Sequence, residues 1–231
     1  MKTIVLFSLV PICISPVSSE QANVDVLLRR AGAGDLYERG KAIAALGRSK
    51  DKKSVPFLLR TMKTGPIGLR FQAMSALAAL GDTKLLFEHL PKLKDDPAPA
   101  IRHSAVKIIA GQYRTRDTAG YIAALVWFLK DEYQPVRGSV IESLLKKGAA
   151  GAKALVPAFA DSDHGIRQRA LRIFAKYSVP DAVPELIVLA ADENSHTRVL
   201  ALQALARQRN RDAVLAVKEA LSAKDAKVRA A

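Results

Sequence analysis

The chain of 231 residues contains a single cysteine, Cys13, so a disulfide framework is excluded. Aromatic residues make up only 6% while apolar residues reach 49%, much of it Ala and Leu. That balance argues against a β-sandwich, which would favour β-branched and aromatic side chains, and suits small-residue helix packing. There are four histidines, His89, His103, His164 and His196. No pair has a helical metal spacing with a third ligand nearby, and neither a His-Glu-x-x-His motif nor a His-Glu dipeptide occurs. A two-His site at His164 and His196, both in loops before helices, is the weaker alternative to structural or solvated histidines. A glycine-rich phosphate loop and a nucleophile elbow are also missing. These absences lead us to expect a protein that is not an enzyme and has no cofactor and no metal. Acidic residues are scarce: 22 Asp+Glu against 36 Lys+Arg, formally +14. The excess favours anionic partners but says nothing of fold.

The longest apolar run near the start, Thr3–Ile14, is broken by Pro11 and too short for a comfortable membrane span. Lys2 precedes it, and Val17-Ser18-Ser19 supplies small residues ahead of Glu20. This is the layout of a secretory signal peptide over residues 1–19. Cleavage there would remove Cys13 and lower the charge to +13 by loss of Lys2. The expectation is export to the periplasm or the extracellular space, with no transmembrane span in the mature chain.

What the sequence has in abundance is repetition. Arg39, Arg70, Arg102, Arg137, Arg167, Arg198 and Arg229 recur at intervals of 31, 32, 35, 30, 31 and 31 residues. A period of that size marks a repeat array. Three residues after each of the first six arginines comes a small apolar residue: Ala42, Ala73, Ala105, Val140, Ala170 and Ala201. Positions four and seven after the marker are also apolar, as in Leu171 and Phe174, so each unit carries one helix with an apolar stripe. A second helical pattern precedes it, introduced by Asp82, Asp117, Asp181 or Asp212, which can cap free N–H groups. Pro56 and Pro184 fit first turns. Gly47, Gly81, Gly111 and Gly148 follow marker helices and suit left-handed terminators. Tyr121, Trp127 and Phe128 form one aromatic cluster, for which core packing is the default.

The unit Asp-x-x-x-Arg-x-x-Ala-x-x-x-Leu, best seen from Asp163 through Arg167 to Ala170, resembles the short HEAT-like repeats of bacteria, the bilin-lyase type. The resemblance covers roughly residues 24–231. It implies an all-α, right-handed α-solenoid (an ARM/HEAT-type superhelix) of about six and a half two-helix repeats over residues 20–231, the last incomplete. It implies little about function, since such repeats are defined by packing. Deoxyhypusine hydroxylases, which are similar HEAT-like enzymes, bind iron through His-Glu pairs that this sequence lacks.

An arginine on an apolar face must be paired. Arg39, Arg70, Arg102, Arg137, Arg167 and Arg198 are therefore expected to form a structural ladder with inter-helix acids of their own or a neighbouring unit. Asp131, Asp163 and Asp192 are the expected carboxylates. Asp96 substitutes where Ala98 holds the acid position, and the second unit offers no acid. Positions two, five and nine after the marker should point away from the stripe. They include Lys41, Arg48, Lys107, Lys146, Arg169, Arg172, Lys176 and Arg207, with Glu142 the single acid. This basic face, centred on Lys107, Lys146, Arg169, Arg172, Lys176 and Arg207, is the candidate binding surface, set against the plainer reading of a solvated face. The expected role is a scaffold for a protein partner with acidic segments. Alternatives are a tetrapyrrole or phycobiliprotein lyase-like subunit, resembling the bilin lyases, and a polyanion or DNA binder resembling the HEAT-like alkylation-repair glycosylases. Export counts against both, and no specific nucleic acid is expected. Arg229 opens a helix that stops at Ala231, so the chain is expected to be a fragment or to self-associate at its uncapped end.

Overall fold

The computed structural model describes residues 24–221. The proposed leader, Arg229 and the chain's end lie outside them. Within them the chain is a series of helical hairpins: α1 (Val24–Gly32) with α2 (Leu36–Ser49), and α3 (Val55–Thr64) with α4 (Ile67–Ala79). Next come α5 (Thr83–His89), continued by the 3-10 turn Leu90–Leu93, with α6 (Pro99–Gly111), and α7 (Thr118–Val126), continued by Trp127–Lys130, with α8 (Gln134–Leu145). The short α9 (Gly148–Lys153) and the turn Val156–Ala160 pair with α10 (His164–Phe174). The turn Pro180–Ala182 leads into α11 (Val183–Leu189), which pairs with α12 (Ser195–Gln208) before α13 (Arg211–Leu221) opens a seventh unit. No strand occurs among the described residues. The architecture is an all-α solenoid of the armadillo/HEAT type.

The apolar stripe explains the stacking. All eighteen residues at three, four and seven after the first six marker arginines are buried, from Ala42, Ile43 and Leu46 to Ala201, Leu202 and Leu205. Each large one removed from water contributes about 1.5–3 kcal/mol. The second helices of consecutive units touch all along the series, α2 to α4, α6, α8, α10 and α12. Small residues permit this approach. At Gly47 a Cβ would stand 2.6 Å from Ala76 Cα, so this glycine provides close contact inside α2 rather than a helix end. Polar stitches tie helices together within a unit and between units. Tyr121 Oη donates to Ser143 O at 3.0 Å, and burial pushes its pKa up to about 12. The buried Gln208 donates to Phe174 O and accepts from Val179 N.

The caps fall partly where expected. Asp82 accepts from Leu85 N and Asp117 from Gly120 N. Asp181 instead lies within a 3-10 turn and pairs with Lys153, and Asn210 rather than Asp212 caps α13. Pro56 and Pro184 lie in first turns. Gly81 and Gly148 take positive φ, 79° and 60°, whereas Gly111 closes α6 without it. The aromatic cluster divides: Tyr121 and Phe128 are fully buried, but Trp127 is 60% exposed.

Candidate interaction surface

The marker arginines form a ladder along the edge where first helices turn into second ones. Arg102 donates from Nε and Nη2 to the two carboxylate oxygens of Asp131 at 2.7 and 2.9 Å, while its Nη1 donates to Asp96 O at 2.7 Å. Arg137 repeats this on Asp161 and on Asp131 O. Arg70 pairs with the Asp96 carboxylate. Each guanidinium thus grips the backbone of its own turn and the carboxylate of the next unit's turn. The acid's backbone-side oxygen also accepts from the N–H two residues on, as Asp131 does from Tyr133 N at 2.9 Å. At 4% and 1% side-chain exposure, Arg102 and Asp131 are almost fully desolvated. The hydrogen bonds to Asp131 hold the Arg102 pKa above the ordinary guanidinium value.

One expected partner is corrected. Asp163 is no rung: its carboxylate caps α10 by accepting from Ile166 N at 3.0 Å. The rung is Asp161, six residues before Arg167. Asp96, Asp131 and Asp192 stand at the same offset from their own markers, and that offset is the legible signal. An acid four residues before the marker sits inside the helix start, too near the N–H groups it caps to reach the neighbouring unit. The ladder loosens at both ends. Arg39 has no acid ahead of it and donates to Ala31 O. The Arg167 and Asp192 charges stand 3.8 Å apart, Arg167 Nη2 meets His164 Nδ1, and Arg167 Nε is buried without a partner.

The basic face is exposed at all six named positions, Lys107, Lys146, Arg169, Arg172, Lys176 and Arg207. Lys146 lies over the Tyr113 ring, and Arg172 Nη2 is 3.4 Å from His196 Nε2. Positions five and nine after the marker face solvent in nearly every unit. Position two does not do so uniformly: Lys41 and Arg169 are exposed, Ser139 is half-buried against His103, and Leu200 is buried. Neighbouring second helices cover that position as they stack. His164 and His196 each sit beside an arginine, and no group of three or more His, Cys, Asp or Glu able to hold a metal occurs among the described residues. Desolvation, with lysine neighbours adding to it, pushes the His89 and His103 pKa values down. On the first-helix side, Phe87, Pro91, Ala123 and Trp127 line an open groove of about 390 Å³. Core packing is the sequence default for Trp127 because periodicity does not say which aromatic of a helix turns outward. No described helix is long and apolar enough to cross a membrane.

Residues 152–231 match the family model described as HEAT repeats. No curated protein matches the chain. Among solved structures, human deoxyhypusine hydroxylase in complex with glycerol is 19% identical, with 90% of this chain and 81% of that one covered and a TM-score of 0.44. A designed armadillo repeat protein in complex with the peptide (KR)4 is 16% identical, with coverage of 81% and 100% and a TM-score of 0.47. The CpcE–CpcF complex of a phycocyanin lyase from Nostoc is 16% identical, with coverage of 87% and 94% and a TM-score of 0.38.

Proposed function

We propose that this chain is a non-catalytic scaffold, exported behind the leader of residues 1–19 to the periplasm or the cell exterior, that binds acidic segments of a protein partner across its second helices. One observation carries the reading. Three consecutive second helices, α8, α10 and α12, with the turns that close α8 and α10, present Lys146, Arg169, Arg172, Lys176 and Arg207 to solvent, and none of these cations has a carboxylate partner among the described residues. Arg70, Arg102, Arg137 and Arg167, by contrast, are already held against carboxylates of the ladder. Unpaired cations on one face lose little on binding an anion, since no existing ion pair has to break.

The test is fluorescence anisotropy with a labelled peptide of alternating Glu and Ser, using the chain from Glu20 onward. We expect binding that weakens with added salt and falls at least about tenfold, or 1.4 kcal/mol, in R169E/R172E/K176E. Equal affinity in that variant, with its helical circular dichroism intact, refutes the face as the site. Export is tested separately by the mass of the periplasmic product in a bacterial host, where cleavage after Ser19 is expected.

A further inference from the structure

The two edges of the solenoid carry very different charge. The turns joining first to second helices, residues 33–38, 62–66, 92–98, 129–133, 160–165 and 190–196, contain ten acids and four Lys or Arg. The six marker arginines reach into these turns and neutralise the difference. The opposite edge joins one unit to the next through residues 48–53, 80–84, 111–118, 146–153, 175–182 and 207–212. It contains fourteen Lys or Arg against five Asp. Its acids are largely engaged: Asp51, Asp82 and Asp117 cap helices, and Asp181 pairs with Lys153. Six cations there, Lys50, Lys53, Lys84, Arg116, Arg209 and Arg211, have side chains that are exposed and make no hydrogen bond or ion pair among the described residues.

Backbone conformation gives a second observation. Eleven residues after the marker, the chain turns left-handed at Gly81 and Gly148, the residue type suited to it. At the same offset Lys50 and Arg209 adopt φ 55° and 50°. A non-glycine residue there is strained, and strain retained at a site asks for a reason beyond packing. Both side chains extend the charged row.

We propose that this edge is a second binding surface, which adjoins the second-helix face at Lys146, Lys176 and Arg207 and extends beyond it, and that it takes a flexible linear polyanion. With helices packed about 10 Å apart, six loops make a row of roughly 50 Å. The large exposed apolar residues lie elsewhere, and Tyr113 and Tyr177 are partly covered, so the edge offers neither a membrane wedge nor a base-stacking platform. Solenoid edges also curve and twist from repeat to repeat, which a flexible chain can follow and a flat bilayer cannot. Recognition is by charge alone.

The probe is labelled long-chain linear polyphosphate. If one phosphate is neutralised per loop, affinity falls roughly 300-fold between 50 and 200 mM salt. The variant K50G/R116S/R209G/R211S, which alters three loops, should bind more weakly, with a log–log salt slope shallower by roughly 2. Its thermal midpoint should not fall, because glycine relieves the two left-handed positions. R169E/R172E should retain a wild-type salt slope, which separates this edge from the face proposed above. Absence of binding at 50 mM salt overturns the proposal, as does an unchanged slope in the edge variant. Tighter binding to phosphatidylserine vesicles than to polyphosphate overturns it in favour of a bilayer.

Discussion

Asp131→Ala removes the most buried rung of the ladder. Its carboxylate receives two N–H bonds from Arg102 and one from Tyr133 N. Stripping one partner from a buried pair costs about 3–5 kcal/mol. Arg102 would keep its bond to Asp96 O and could lean on Glu132, now 3.0 Å from Nη2 but 80% exposed. The loss should therefore sit near the lower bound, about 3 kcal/mol. Asp192→Ala removes a rung whose charges are 3.8 Å apart, and Arg167 there retains Asp161 O and Ser162 O, so about 1 kcal/mol is expected. Replacing both members, R102M/D131L, should cost less than D131A because no buried charge is stranded. Urea titration followed by helical ellipticity gives each value from the shift in midpoint at constant slope. Equal losses for D131A and D192A, or less than about 1 kcal/mol for D131A, would refute the claim that desolvated pairing sets the strength of these interfaces.

Three further outcomes follow from the same structure. Asp163→Ala should cost about 1 kcal/mol as a lost helix cap, and Asp161→Ala about 3–5 kcal/mol as a lost rung, compared in the same titration. Gly47→Ala should cost about 1–3 kcal/mol, read as a lowered thermal midpoint, because its Cβ would press on the Ala76 backbone 2.6 Å away. The folded-state pKa of His103 lies below 6.5 through desolvation first and then Lys107, with Asp131 opposing. The unfolded chain therefore takes up the proton first, so stability should fall as pH drops below 6.5 towards the folded-state value. The thermal midpoint at pH 5 should be lower than at pH 7.5, and the difference smaller in His103→Gln, which can still hydrogen-bond Ser139.

Much of the fold is legible in the sequence because it is local. The marker arginines set the period, and the residues at three, four and seven after them are buried in every described unit. The surface was only partly legible. Lys107, Lys146 and Arg172 stand exposed as helical geometry requires, yet Leu200, on the same nominal face, is buried, because a neighbouring helix decides what becomes of position two. Trp127 and Phe128 are adjacent in sequence, and only one of them reaches the core.

The sequence by itself determined a helical array, its repeat length and the flank each second helix would bury, since all three follow from periodicity within a short window. Tertiary structure alone decided that each paired arginine holds the carboxylate of the neighbouring unit rather than its own, and that the unneutralised positive charge gathers along one edge. Those outcomes depend on the offset between adjacent units. Residues some thirty positions apart meet only after the hairpins stack, and no spacing within one unit encodes that displacement.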